Sequence, residues 1–311
     1  MHIIIDFALV IVGIFILNIG ANLLVDGSAN IAKALGVRPL LVGLTVVAVG
    51  TSAPEFVVSL FAVLSGNLDG MSLGNIVGSN IANIGLILGV SALLGPLAVE
   101  RKIFKHDLVI LGIVTAILII FAWNGQISRF EGVVLFAGGL AFFWNVISRA
   151  RNDNNRNGSN GQSSEHSTFS NTLRIIGGLA LLIISSRWLI VDHSLPIMKW
   201  LGVSDVVIGL TIIAIGTSLP ELAAAVASIL KNHTEIGVGN VIGSNIINTL
   251  IVLGAVASIR DINAQLNYQL CVQAGMTLML YPLFKYSKYQ KLTGAILLVG
   301  FVSFIIWEYL R

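Results

Sequence analysis

Apolar runs of about 20 residues recur along almost the whole chain, which limits what it can fold into. Of the 311 residues, 56% are hydrophobic and only 11% are charged, against roughly 25% charged residues in ordinary soluble domains. Because a run of this length is long enough to cross a bilayer as a helix, the pattern predicts an all-α polytopic membrane protein. For a membrane protein, a net charge of +3 requires no partner other than the membrane itself, and no nucleic-acid partner is expected.

Interruptions by Gly, Pro, Asn and charged residues divide the apolar runs into ten predicted transmembrane helices. The predicted helices span residues 3–25, 37–65, 72–95, 105–123, 130–148, 173–193, 203–230, 236–258, 266–285 and 291–309. Three regions follow: an N-terminal five-helix repeat at 1–148, a flexible cytoplasmic linker at 149–172, and a C-terminal five-helix repeat at 173–311. The linker contains too few large apolar residues to bury a core.

The distribution of Lys and Arg predicts the orientation in the membrane. With the N-terminus outside, thirteen of the 18 basic residues fall on the cytoplasmic side, as the positive-inside rule favours. Since five helices is an odd number, the second half enters the membrane from the opposite side. The sequence thus predicts two inverted repeats in the cell (plasma) membrane with both termini outside, a layout common among secondary transporters.

One pair of motifs occurs in both halves. Residues 50–55 read Gly-Thr-Ser-Ala-Pro-Glu and residues 216–221 read Gly-Thr-Ser-Leu-Pro-Glu. Each copy is followed by Gly-Asn-x-x-Gly-Ser-Asn, at 74–80 and at 239–245. Only the second, third, seventh and eighth predicted helices retain this similarity. We therefore expect these four helices to carry the chemistry and the others to act as scaffold.

The repeated glutamates, Glu55 and Glu221, lie deep in apolar segments, and residues 39–65 and 203–230 contain no Lys or Arg. An ionisable group at such a depth is costly, so it indicates function. Pro54 removes an amide donor and clashes with the carbonyl group four residues earlier, which predicts a kink at 48–51. Hydroxyl, carboxylate and freed carbonyl oxygens would then share one helix face. These hard oxygen ligands suit Ca²⁺ or Na⁺ and not zinc or copper.

The helix that follows each glutamate offers a second polar face. Side chains at i, i+4 and i+8 line it, namely Asn75, Ser79 and Asn83 in one half and Asn240, Ser244 and Asn248 in the other. For Asn75, Asn80, Asn240 and Asn245, a packing or helix-end role stays open. Glycine pairs at 74/78 and 239/243 predict close helix approach. Two unpaired carboxylates must be neutralised by one Ca²⁺, two Na⁺ or two H⁺, which gives a physical basis for ion exchange.

The two motif pairs resemble the paired alpha repeats of the calcium/cation antiporter superfamily, and most closely its prokaryotic sodium/calcium exchangers. The resemblance implies that Ca²⁺ moves outward against three Na⁺ moving inward by alternating access. It also implies that the first and sixth helices slide against a core formed by the other eight. Ca²⁺, Na⁺ and the lipid bilayer are the expected partners, with no cofactor and no obligatory protein partner.

The resemblance also assigns roles to residues. Glu55 and Glu221 would bind Ca²⁺, aided by the backbone carbonyls of Thr51 and Thr217. Na⁺ sites would use Ala48, Ser52 and Ser79 on one side and Ala214, Thr217, Ser218 and Ser244 on the other. Asn83 and Asn248 would line a central position, occupied by a third cation or by water. Asn248 departs from potassium-dependent relatives, which have aspartate there, so we expect no potassium transport and a symmetric central position.

Two alternative functions stay open on the sequence alone. A Ca²⁺/H⁺ exchanger of the same superfamily would use the same acids, although the many hydroxyls suit Na⁺ better. A cation channel would also place acids near the midplane, but broken helices in inverted repeats favour alternating access. An enzyme is not expected, because no Ser/His or His/Cys constellation is found.

Overall fold

The computed structural model describes residues 2–64, 69–97, 101–157, 165–200 and 214–310. These residues form a bundle of helices and one short two-stranded ribbon. Six of the described helices are long and apolar enough to cross a membrane, and a bent pair adds a seventh. The predicted class, an all-helical polytopic membrane protein, is confirmed apart from the ribbon.

The first half is built from long helices that are interrupted by π-helical turns. In chain order its elements are α1 (His2–Ala34), α2 (Pro39–Val42), π1 (Gly43–Val47), α3 (Ala48–Thr51), α4 (Ala53–Leu64), α5 (Asp69–Ala82), π2 (Asn83–Leu88), α6 (Gly89–Leu94), α7 (Arg101–Ala122), β1 (Gln126–Ile127) and α8 (Arg129–Asn157).

The second half repeats this pattern. Its elements are α9 (Glu165–Ile184), π3 (Ser185–Val191), α10 (Asp192–Trp200), α11 (Ala214–Thr217), α12 (Leu219–Leu230), α13 (Thr234–Ile247), π4 (Asn248–Leu253), α14 (Gly254–Ile259), β2 (Ile262–Asn263), α15 (Asn267–Lys285), a 3₁₀ turn (Ser287–Tyr289) and α16 (Gln290–Leu310). The predicted helix 203–230 begins outside the described residues, so the count of ten helices stays a prediction.

Helices α8 and α9 extend into the segment predicted to be a flexible linker. Its described residues, 149–157 and 165–172, are helical. Asp153 in this extension receives two hydrogen bonds of 2.6 Å from the Arg38 guanidinium. The ion pair fixes the end of α8 to the connection between α1 and α2.

Helices α1 and α9 pack against each other through glycines. A β-carbon on Gly20 would lie 2.9 Å from the carbonyl oxygen of Gly178, and one on Gly178 would lie 2.7 Å from that of Gly20. Such small residues allow two backbones to touch within a membrane. The opposite face of α1 is exposed, with Ile4 at 70% and Phe15 at 73% of their full accessible area.

The buried apolar residues form two separate clusters. The larger cluster, which includes Ile76 and Leu253, fills the space among α2 to α8 and α12 to α16. The smaller one, which includes Leu24 and Leu182, lies between the α1–α9 pair and residues of π1, α12 and α13. The α1–α9 pair is thus a unit that packs on the side of a larger core.

The ribbon joins the two halves at one end of the bundle. Gln126 pairs with Asn263 and Ile127 with Ile262 in antiparallel register, and both isoleucines are fully buried. The connection after α7 and the connection after α14 therefore lie on the same side of the protein.

We expect Gly178→Ala to destabilise the protein by about 1–3 kcal/mol, because the added methyl group would clash with the backbone of α1. The neighbouring Gly177→Ala is the matched control, since no described atom lies within 4 Å of its β-carbon position. The thermal unfolding midpoint of each purified variant in detergent measures the difference. Equal midpoints would show that α1 and α9 do not depend on this contact.

Candidate functional site

Each repeated glutamate lies in the first turn of a helix that restarts after a break. In the first half α3 ends at Thr51 and α4 begins at Ala53, and the direction of Ala53–Leu64 differs by 44° from that of Pro39–Thr51. The intervening Ser52 has φ −79° and ψ 3°, and the aligned Ser218 has φ −88° and ψ 3°. In both halves, therefore, the helix is broken at the equivalent serine of the repeat.

The break falls one residue later than the predicted kink. Residues 48–51 are helical, and the Ala48 carbonyl accepts a 3.0 Å hydrogen bond from the Ser52 amide, so this carbonyl is not freed. Pro54 lies instead in the first turn of α4, where a helix needs no amide donor. The hydrogen-bond ladder is interrupted just before the new helix starts.

Both glutamate side chains are completely buried, at 0% exposure. Neither carboxylate oxygen of Glu55 has a hydrogen-bond partner among the described residues, and the same holds for Oε2 of Glu221. Ser52 Oγ donates to Glu221 Oε1 across 3.4 Å. The two carboxylates lie close enough to interact electrostatically. The site is therefore shared between the halves.

No basic side chain compensates these two charges in the described part of the chain. The six ion pairs found there all lie elsewhere and involve Asp6, Asp26, Asp107, Asp153 and Asp192. The described residues also contain no group of three or more His, Cys, Asp or Glu side chains that could hold a metal ion. Oxygen atoms of hydroxyl, amide and backbone groups must complete any coordination shell.

Hydroxyl groups surround the carboxylates. Ser79 and Thr217 lie near Glu55, whereas Thr51 lies near Glu221. The hydroxyls of Ser79, Ser218 and Ser244 are buried and have no hydrogen-bond partner among the described residues. Ala48 is also buried, and Ala214 is the first residue of α11. No described contact joins Ser218, Ser244 or Asn83 directly to a glutamate.

Two of the asparagines for which a packing or helix-end role stayed open form hydrogen bonds to the broken helices. Asn75 Nδ2 donates to the carbonyl oxygen of Glu55 at 3.2 Å and to Ser59 Oγ at 3.0 Å. Asn240 Oδ1 accepts a 3.0 Å hydrogen bond from Thr51 Oγ1 in the other half. In the sequence, each of these asparagines stands four residues before a serine, Ser79 or Ser244. This spacing places them on the polar helix face but does not reveal their hydrogen-bond partners.

The predicted close approach of glycines is confirmed in the second half. A β-carbon on Gly239 would lie 2.6 Å from the Leu40 carbonyl oxygen, and one on Gly243 would lie 2.7 Å from that of Leu44. From the internal repeat, we expect residues 201–213 to pack on Gly74 and Gly78. That segment lies outside the described residues.

The central asparagines each begin a π-helical turn, π2 at Asn83 and π4 at Asn248. Such turns occur often at functional sites, and no residue pattern predicted them. The two side chains are of the same type, as expected, but they differ in their hydrogen bonds. Asn83 has no hydrogen-bond partner among the described residues, whereas Asn248 Nδ2 donates to Asn80 Oδ1 at 3.4 Å.

This architecture has known counterparts. The family model described as sodium/calcium exchanger protein matches residues 5–147 and 170–310, and the chain belongs to this family. The fold is similar to that of the sodium-calcium exchanger NCX_Mj, soaked with zero Na⁺ and Ca²⁺, with a TM-score of 0.85 and 34% identity over 99% of this chain and 100% of that chain.

Relatives at the sequence level agree with the structural match. The sodium/calcium exchanger MaX1 of Methanosarcina acetivorans is 31% identical over 80% of this chain and 82% of its own. The inner membrane protein YrbG of Escherichia coli is 37% identical over 81% of this chain and 79% of its own. The protein is thus a multi-pass membrane cation/calcium exchanger and not an enzyme.

We expect Asn75→Ala to lower the free energy of unfolding by about 1–3 kcal/mol, because two part-buried hydrogen bonds to α4 are lost. Asn22→Ala serves as a control, since the Asn22 amide bonds only Asn18 on its own helix. Thermal unfolding in detergent measures both variants. If Asn75→Ala unfolds at the wild-type temperature, Asn75 does not support the site.

Proposed function

We propose that this protein is a secondary active antiporter that exchanges Ca²⁺ for Na⁺ by alternating access, with three Na⁺ entering for each Ca²⁺ that leaves. One observation carries the proposal. Two fully buried carboxylates, one from each half, lie together among hydroxyl groups with no basic partner in the described chain. Such a pair needs cations to be stable in a membrane.

The donor set suits both ions. Glu55 and Glu221 would bind Ca²⁺ together with the backbone carbonyls of Thr51 and Thr217, because Ca²⁺ takes six to eight oxygen ligands. Hydroxyl and carbonyl oxygens on each side of the pair would bind Na⁺, namely those of Ala48, Ser52, Ser79, Ala214, Thr217, Ser218 and Ser244. Asn83 and Asn248 would supply neutral oxygens between them.

The charges explain why the two ions compete. One Ca²⁺ neutralises the two carboxylates completely, whereas three Na⁺ leave one positive charge. Occupancy by either cargo removes the cost of two bare carboxylates at membrane depth. The site therefore crosses between its two open states only when it is filled, and each cycle moves one net charge.

The packing of the bundle supports alternating access. The α1–α9 pair is joined internally by backbone contacts and meets the rest through its own small apolar cluster. A unit of this kind can slide without disturbing the larger core. Asp6 on α1 and His193 on α10 are joined at 2.7 Å, so the moving unit would include α10.

Contacts between distant segments support the sidedness of the connections in the proposed inverted ten-helix topology. Arg38 pairs with Asp153 and Lys231 pairs with Asp26, and all four residues fall on the predicted cytoplasmic side. The β1–β2 ribbon joins two connections that are predicted to lie outside. Every one of these contacts joins segments assigned to the same side.

Glu55→Gln and Glu221→Gln should each lower the rate of Na⁺-driven Ca²⁺ flux by about 100-fold or more. A loss of this size is expected when one partner of a buried charged pair is removed. The neutral amide keeps the shape but cannot balance Ca²⁺. Flux is measured in proteoliposomes that hold an imposed Na⁺ gradient. Glu308→Gln is the control, because Glu308 bonds Gln269 at 2.7 Å, far from the repeated motifs.

The same vesicles separate the alternatives. Ca²⁺ flux that follows a pH gradient and ignores Na⁺ would identify a Ca²⁺/H⁺ exchanger. Ca²⁺ flux that needs no counter-ion and does not saturate would identify a channel. Either result would overturn Na⁺/Ca²⁺ exchange.

The orientation is tested by labelling single cysteines with a membrane-impermeant maleimide in intact cells. In a Cys271→Ser background, Asn124→Cys should react from outside and Lys288→Cys should react only after the membrane is permeabilised. Both positions are exposed in connections between helices. The opposite labelling pattern would place the termini in the cytoplasm.

A further inference from the structure

We propose that Thr249 and Asn80 form a relay that orients the Asn248 side chain, so that Asn248 Oδ1 is the fixed neutral oxygen of the cation site. This inference rests on the proposed exchange function, because it assigns a cation to the same site. Thr249 and Asn80 would be positioning residues that act through Asn248 and do not touch the ion.

The relay runs from one half of the protein to the other. Asn80 on α5 donates from Nδ2 to Thr249 Oγ1 at 3.0 Å. Asn80 Oδ1 then accepts a hydrogen bond of 3.4 Å from Asn248 Nδ2. All three side chains are at most 1% exposed, so water does not compete for these contacts.

The relay decides which end of the Asn248 amide is available. A primary amide has donors on nitrogen and an acceptor on oxygen. Because Asn80 occupies the nitrogen, the oxygen is the end that remains, and Asn248 Oδ1 is buried without a described partner. A buried acceptor in this condition is available as a cation ligand. If the amide were reversed, its N–H groups would repel the ion.

The first half cannot build the same relay. The residue aligned with Thr249 is Ile84, which has no hydroxyl group to fix the amide. Asn245, aligned with Asn80, bonds the Val241 carbonyl of its own helix at 2.8 Å instead. Asn83 consequently has neither amide atom bonded within the described chain. The central position therefore has one asparagine held by a hydrogen bond and one without such a bond among the described residues.

A fixed amide dipole matters for ion selection. Oxygen ligands that are held in place before the ion arrives need no reorganisation on binding. Ca²⁺ carries twice the charge of Na⁺ and gains more from a fixed dipole that points at it. We therefore expect the relay to favour Ca²⁺ over Na⁺.

Thr249→Val tests the relay, because valine keeps the shape and removes the oxygen that holds Asn80. Titration of the purified protein in detergent with Ca²⁺ alone should show a dissociation constant about tenfold higher than wild type, the effect of roughly one lost hydrogen bond to an ion-binding group. Thr249→Ser keeps the hydroxyl and should bind like wild type. Ile84→Val, at the aligned position, is the matched control and should also leave Ca²⁺ binding unchanged.

A second measurement separates positioning from a general structural effect. In an Asn248→Ala background, Thr249→Val should cause no further loss of Ca²⁺ affinity, because the relay has nothing left to orient. Additive losses would overturn the proposal, as would wild-type binding by Thr249→Val. Asn80→Ala provides a second test of the same kind if Thr249→Val does not fold, which the thermal unfolding midpoint without Ca²⁺ reveals.

These binding measurements do not depend on transport. Ca²⁺ binding with the expected Thr249 dependence, but without Na⁺-driven flux in vesicles, would support the relay and reject the exchange function. Na⁺-driven flux together with a Ca²⁺ affinity that ignores Thr249 would reject the relay alone.

Discussion

Two carboxylates buried side by side without a basic partner are the constraint on which the rest of this structure depends. The cost of removing two charges from water is several kcal/mol for each ion, and no hydrogen bond reaches the Glu55 carboxylate oxygens within the described chain. The protein lowers this cost with hydroxyl groups on broken helices, and Ser52 of one half serves Glu221 of the other. The remaining cost is met only by cations. Both halves must therefore come together for the site to exist, and the glycines of α13 allow this close approach.

Much of this arrangement follows from the sequence. Low charge and long apolar runs predict the helical membrane class, and the absence of Lys and Arg near Glu55 and Glu221 predicts that these acids are unpaired. The duplicated motif predicts equivalent breaks in both halves, and these occur at Ser52 and Ser218. Such features were predictable because they depend on residue type and on helical periodicity, which are local properties of the chain.

Other features depend on contacts between distant residues, and the sequence did not predict them. Asn80 and Asn245 occupy identical positions in the repeat, yet one bonds across the interface and the other bonds its own helix. The difference arises from Thr249 and Ile84, whose importance is visible only once the two halves are placed together. The continuation of α8 to Asn157 likewise brings Asp153 to Arg38, far away in sequence, and no residue pattern predicted the π-helical turns.

The exposed face of α1 has a consequence for how this protein responds to its surroundings. Its large apolar side chains, such as Ile4, Ile11 and Phe15, lie away from the rest of the bundle, so acyl chains form their outer boundary. Backbone contact between Gly20 and Gly178 leaves no room for a lipid between α1 and α9. Under the proposed sliding of this pair, the outer face of α1 would move against acyl chains. Membrane viscosity and thickness would then act on the turnover rate.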